Sequence, residues 1–167
     1  MSGSYVESSV HKKVTGKDNL IKVGLIAGTV FIALIGILSV NYLLLLVAVV
    51  AGGASAYIIP RLKIMYEYIF CDGQLDFDKI MGGEKRKNMM KIDFEDVVVM
   101  APAKSHALDG YRHNGVKVYD FSSMKEEQKR YAVVTKKNDQ AVMIYFEPDE
   151  KMVSVIKQKA GRKFSEY

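Results

Sequence analysis

The sequence predicts a membrane-spanning helical hairpin followed by a β-rich domain of about seven antiparallel strands and one C-terminal helix. Three observations carry that expectation. Val23 to Ile59 is a run of about 37 residues with no Asp, Glu, Lys, Arg or His. From Tyr66 onward, apolar and polar residues alternate in short runs separated by turn dipeptides. After Pro148 the period changes, and Met152, Val153, Ile156 and Ala160 recur on one helical face.

The first segment, Met1–Asn19, is rich in Ser, Gly and Lys. So few apolar side chains cannot offset the entropy of ordering, so residues 1–19 are expected to form a disordered basic tail. The apolar run comes next. A single helix of that length reaches ~55 Å, whereas a bilayer core is ~30 Å thick. Two helices fit, roughly Leu20–Leu38 and Leu43–Ile59, turning at Asn41 within Ser39-Val40-Asn41-Tyr42. Pro60 is expected to end the second, because it lacks an N–H and biases Ile59 away from helical geometry. The transmembrane segment is thus residues 20–60, and the cytoplasmic domain residues 64–167. Ala54-Ser55-Ala56 has the small residues of a signal cleavage site, but a signal peptide's apolar region is ~7–15 residues long.

Basic residues flank both ends of the run: His11, Lys12, Lys13, Lys17 and Lys22 before it, Arg61 and Lys63 after it. An even number of spans between two basic flanks puts both termini in the cytoplasm of a multi-pass cell-membrane protein. The single Cys71 suits that reducing compartment. Within the run, Gly24 and Gly28 form one small-residue pair, and Ala48, Gly52 and Ala56 form a row at the same spacing. Such rows let helix backbones approach closely in lipid, within the hairpin or in a homodimer. With no ionisable residue inside the span, a transporter or channel role is disfavoured.

The soluble part has about 100 residues, enough for one core. Tyr66, Tyr68 and Phe70 alternate with polar neighbours up to the turn Asp72-Gly73, and Leu75 and Phe77 continue beyond it. Gly82-Gly83 turns the chain again. Met90, Ile92 and Phe94 alternate, and Val97–Met100 reads as a buried strand. Residues 101–115 hold Pro102, Asp109-Gly110 and Asn114-Gly115 and read as a loop. Val116–Phe121, Tyr131–Thr135 and Ala141–Phe146 are further strands, the last two joined at Lys137-Asn138-Asp139. Pro148, Asp149 and Glu150 suit the start of a helix, and Gly161 its end.

Three stretches in this order resemble the pleckstrin-homology-like (PH-like) domains of bacterial membrane proteins. They are Tyr66-Glu-Tyr-Ile-Phe-Cys-Asp-Gly-Gln-Leu, Lys91-Ile-Asp-Phe-Glu-Asp-Val and Tyr145-Phe-Glu-Pro-Asp-Glu. The resemblance covers roughly Ile64 to Lys159. It implies a transmembrane hairpin preceding a small barrel of about seven antiparallel strands closed at one end by its last helix. Phosphoinositide-binding PH domains place basic residues around the first hairpin loop; the loop here is Asp72-Gly73.

No phosphate-binding loop, nucleophile elbow or Cys-x-x-Cys is present. Asp72, Asp76 and Asp78 lack the spacing of a calcium loop. His106, Asp109 and His113 share one loop and are the candidate ligands of an alternative reading, a membrane-associated metal-dependent enzyme. The preferred reading involves neither metal nor cofactor. The net charge of +5 resides in clusters, including Arg61, Lys63, Lys85, Arg86, Lys87 and Lys91. These six are the candidate surface for anionic lipid headgroups or a protein partner, each basic residue at a membrane contributing ~1 kcal/mol. Without an aromatic-and-basic stacking motif, nucleic acid is not an expected partner. The sequence therefore reads as a non-enzymatic, membrane-anchored platform, or else as a small accessory subunit of a membrane complex.

Overall fold

Tyr5 to His11 form a strand, β1, in a computed structural model that describes residues 5–113, 115–125, 129–137 and 140–165. Met1–Ser4 of the tail, Asn114 of the Asn114-Gly115 turn, and Asn138 and Asp139 of the last hairpin turn lie outside the described residues. The strand corrects the expectation of a disordered tail. Val6 and Ser8 are buried, while Tyr5, Glu7 and Ser9 face outward. That period-two pattern is long enough to add an edge to an existing sheet, though too short to form structure by itself.

Helices α1 (Gly16–Leu38) and α2 (Tyr42–Arg61) follow. They form one compact unit with the turn at residues 81–85, and the strands and the C-terminal helix form another. The first helix starts four residues earlier than its apolar pattern implies, because the Asp18 carboxylate accepts the Thr15 N–H at 2.9 Å and closes the first turn. Asn41 turns the hairpin as expected. Its side-chain oxygen accepts the N–H groups of Leu43 and Leu44, at 3.0 and 3.4 Å, and caps α2. Pro60 does not end α2, which runs on through it to Arg61. So close to a helix end, the missing N–H removes a single bond from the ladder. Both helices are long and apolar enough to cross a membrane, and leave Val23, Phe31, Leu46, Val49 and Val50 exposed.

Among the described residues the β unit holds eight strands in two sheets, where about seven closed into a barrel were expected. β2 (Ile64–Cys71), β3 (Gln74–Met81) and β4 (Lys85–Asp93) continue from β1 in the order β1-β2-β3-β4. The second sheet is β5-β7-β8-β6, made from β5 (Val97–Pro102), β6 (Lys117–Asp120), β7 (Tyr131–Lys137) and β8 (Gln140–Phe146). The sheets do not join into a closed barrel; the added β1 and the terminal β6 each end a sheet. β6 is parallel to β8, not antiparallel. Since β7 and β8 are antiparallel, β6 runs opposite to β7. The 101–115 stretch is only partly a loop: Ala101 and Pro102 belong to β5, and His106–Tyr111 make a short 3-10 helix around buried Leu108.

The two-residue turn Asp72-Gly73 takes φ of 49° and 92°, the left-handed pair that matches the strand twist. Tyr68, Phe77 and Phe121 meet Phe146 or one another in the core, with ring centroids 5.2–5.8 Å apart. Such pairs add ~0.5–1.5 kcal/mol each beyond the area they bury. Helix α3 (Glu150–Ala160) docks by Met152, Ile156 and Ala160, all buried. Asp149 caps it, accepting the Met152 N–H at 2.7 Å, and Gly161 ends it at a φ of 52°.

Candidate functional site

The predicted basic surface separates when its partners are in view. Arg86 on β4 pairs with Glu67 of β2 and lies 3.6 Å from Asp78 of β3. Glu67 and Asp78 are both buried, and Asn88 donates to Asp78 at 2.7 Å. The guanidinium thus neutralises two carboxylates that would otherwise sit uncompensated between strands. Lys91 lies 3.6 Å from Asp76. Arg61 stacks over the Tyr57 ring one turn earlier in α2, 3.5 Å from its centroid. Lys63, Lys85 and Lys87 carry no ion pair among the described residues.

The first hairpin loop has neighbours of both charges. Asp72 and Gly73 share an open cleft of about 290 Å³ with Asp93, Glu95, Lys159 and Lys163. The ammonium of Lys163 is held by the carbonyls of Phe94 and Glu95, each at 2.8 Å. In the 101–115 region, His106 Nδ1 is 3.0 Å from Asp109, and Arg112 donates to the same carboxylate at 2.6 Å. Among the described residues no three His, Cys, Asp or Glu side chains converge to hold a metal ion. Cys71 is exposed at the end of β2.

In the helix pair, Ala48 is buried and Gly52 lies against Thr29, 3.7 Å from where a Cβ would point. Gly24 and Gly28 have open space around them, and Ala56 is exposed. The closest approach is instead at Gly36, where an added Cβ would come 3.1 Å from the Leu45 backbone nitrogen. Thr29 and Ser55 meet across the pair, their hydroxyls 3.3 Å apart. Gly36 and this hydroxyl pair were not picked out in the sequence. A Thr and a Ser amid an uncharged run were the available signal.

A second missed group lies where β8 leads into α3. Glu147 is 3% exposed. Ser123 donates to its Oε1 at 3.0 Å, and its Oε2 is buried with no hydrogen-bond partner among the described residues. Its N–H points to the Tyr68 hydroxyl at 3.4 Å, and that hydroxyl donates to the Phe121 carbonyl at 2.6 Å. Burial pushes the Tyr68 phenol well above its ordinary range; the bond from the Glu147 N–H pulls the other way and the Glu147 carboxylate adds to the rise. Burial likewise raises Tyr66, with the Asp120 carboxylate adding to it. Beside Glu147 an open cleft of about 270 Å³ runs along Ser8–His11 of β1, with Lys125 at its side.

Two four-stranded sheets, an acid-rich first hairpin and a closing amphipathic helix now stand beside the comparison with known families. Residues 2–166 match the family described as a bacterial PH-like domain (DUF6106). The chain belongs to that family. The match spans the two helices as well as the β unit. No curated protein and no solved structure matches the chain.

Proposed function

We propose that this PH-like protein is a non-enzymatic membrane-anchored module. In this reading the helix pair holds the β unit at the bilayer as a cytoplasmic platform for a binding partner. The observation that carries it is the ladder between β1 and β2, which runs in register from Tyr5 opposite Cys71 to His11 opposite Met65. Both helices are inserted between these two neighbouring strands. Strands bonded to each other lie on one side of a membrane, so an inserted hairpin must cross twice and return. That requirement agrees with the basic flanks, which favour the cytoplasmic side.

The partner surface is less suited to headgroups than the charge count implies. Arg86 and Lys91 face carboxylates of their own fold, and the first hairpin turn, Asp72-Gly73, shares its cleft with Asp93 and Glu95 as well as Lys159 and Lys163. Of the six candidates, Arg61 stacks on Tyr57, and Lys63, Lys85 and Lys87 carry no ion pair among the described residues and are left for anionic lipid. A protein partner is therefore the favoured occupant of the platform.

The anchor is tested by replacing residues 12–64 with a short Gly-Ser linker between His11 and Met65, which already face each other across the ladder. The full chain should stay in the membrane pellet through a high-salt and alkaline carbonate wash, and the linked variant should be soluble and folded. Release of the full chain by the wash would refute the anchor.

A further inference from the structure

We propose that the turn at residues 81–85 lies in the headgroup layer of the membrane, where Lys85 joins Lys13, Lys17 and Lys63 in binding the phosphates of anionic lipids. The proposal rests on the reading of the helix pair as a membrane anchor and names the lipid that the basic end of that anchor takes.

The charges of the helix unit stand at one end. Residues 13–64 and 81–85 carry six basic side chains, Lys13, Lys17, Lys22, Arg61, Lys63 and Lys85, against two acidic ones, Asp18 and Glu84. Val23 to Ile59 is uncharged and the chain reverses at Asn41, so the start of α1 and the end of α2 share that charged end. The 20 residues of α2 span ~30 Å, the thickness of the hydrocarbon core, which puts Arg61 at its boundary. Tyr57 marks the same level. It is exposed, its ring carries the Arg61 guanidinium, and tyrosines of membrane helices gather at this interface.

Backbone contacts fix the turn to that level. The Gly82 N–H donates to the Lys63 carbonyl at 3.0 Å, and a Cβ on Gly82 would lie 3.5 Å from the Pro60 carbonyl. Gly82 and Gly83 take φ of 65° and 78°, which glycine adopts without strain. Lys85 follows Arg61 by 24 residues. It therefore lies outside the ~15–20 residues over which flanking charge orients a membrane helix, and the fold itself brings it to this end. Lys13, Lys17, Lys63 and Lys85 are exposed and carry no ion pair among the described residues, unlike Arg86 and Lys91. A lysine is a point charge on a flexible apolar stem. The stem can lie along apolar helix surface while the ammonium reaches a phosphate oxygen, with no bidentate geometry to satisfy.

The test places the full chain in phosphatidylcholine bilayers at ~0.1 M salt, where exposed charges still act over ~10 Å. Phosphatidylglycerol and phosphatidylcholine, each spin-labelled on an acyl chain, serve as probes, and the motionally restricted fraction in the electron paramagnetic resonance spectrum measures lipid held at the protein. Phosphatidylglycerol should be preferred about threefold or more. Lys85→Gln and Lys63→Gln should each cut the preference about twofold, whereas Lys104→Gln, an exposed lysine of the β unit, should leave it unchanged. Equal restriction of the two probes by the parent chain would overturn the proposal. So would a Lys85→Gln variant no different from Lys104→Gln, which would return Lys85 to a protein partner. Loss of the preference with sodium glycerol phosphate, but not with sodium chloride of the same ionic strength, would also overturn it and assign the lysines to a soluble phosphate. A chain that restricts neither probe would refute the anchor and the proposal with it, whereas one that restricts both equally keeps its anchor and lacks the headgroup site.

Discussion

Replacing Tyr68 by Phe removes one oxygen from the centre of the β unit and leaves the ring in place. That oxygen donates to the Phe121 carbonyl at 2.6 Å and accepts the Glu147 N–H at 3.4 Å. Both partners are main-chain groups in a region where Tyr68 and Phe146 are fully buried, so water cannot replace the hydroxyl. A buried polar group left unpaired costs ~1–3 kcal/mol, and the longer of the two bonds contributes at the low end. The total is about 2–4 kcal/mol, a fall in midpoint of roughly 8–16 °C for a domain of this size. A second consequence separates this account from a simple packing loss. The folded phenol titrates above its ordinary value of 10.0, so its stabilising contribution is complete below pH 10 and is lost as pH rises beyond it. Each pH unit above 10 should cost the parent up to ~1.4 kcal/mol from this group, and cost Tyr68→Phe none of it. Tyr66 is present in both proteins and cancels. Denaturation of the two full chains in micelles at pH 8 and at pH 11, followed by near-ultraviolet circular dichroism, measures both effects. A difference under ~0.5 kcal/mol at pH 8, or one that does not shrink at pH 11, would refute the reasoning.

Two further substitutions test the packing and the ion pairs by chemical denaturation at neutral pH. Ile156→Ala should destabilise the β unit by ~2–5 kcal/mol, the range for emptying a fully buried aliphatic site, whereas Gln158→Ala on the exposed side of α3 should stay within ~0.5 kcal/mol; equal effects would mean that α3 is not docked by its apolar face. Arg86→Ala should cost ~1–3 kcal/mol because it strips Glu67 and Asp78 of their cation, towards the low end since Arg86 is half exposed; an effect as small as that of Lys87→Ala would show the pair to be mere surface charge.

Much of the architecture was legible because it depends on short-range patterns. An uncharged run too long for one span and interrupted at Asn41 is readable as a hairpin, and alternation around Asp72-Gly73 is readable as paired strands. β1 was not readable, because its evidence is only Val6, Ser8 and Val10 within a polar tail. Its partner β2 lies beyond both helices, and composition averaged over the tail hides a seven-residue edge strand. The open sheets and the parallel β6 follow from strand order, which local periodicity does not contain. The ion pairs within the basic surface were hidden for the same reason. Arg86 and Lys91 look solvated in one dimension, and only the neighbouring strands supply Glu67, Asp78 and Asp76. Glu147 stands in the Tyr145-Phe-Glu-Pro-Asp-Glu stretch, but its hydrogen-bond partners, Ser123 and Tyr68, lie 24 and 79 positions away and local pattern does not reveal them.

The sidedness of the chain tests the central claim most directly, because the β1–β2 ladder and the double crossing stand or fall together. In a Cys71→Ser background, single cysteines replace exposed Ser9 on β1, exposed Tyr42 at the hairpin turn and exposed Gln158 on α3. Intact cells are treated with a membrane-impermeant thiol reagent, then opened and treated again. Tyr42→Cys should label in intact cells, and Ser9→Cys and Gln158→Cys only after the cells are opened. Labelling of Ser9→Cys and Gln158→Cys on opposite sides of the membrane would contradict the ladder, and labelling of both from outside would contradict the cytoplasmic platform.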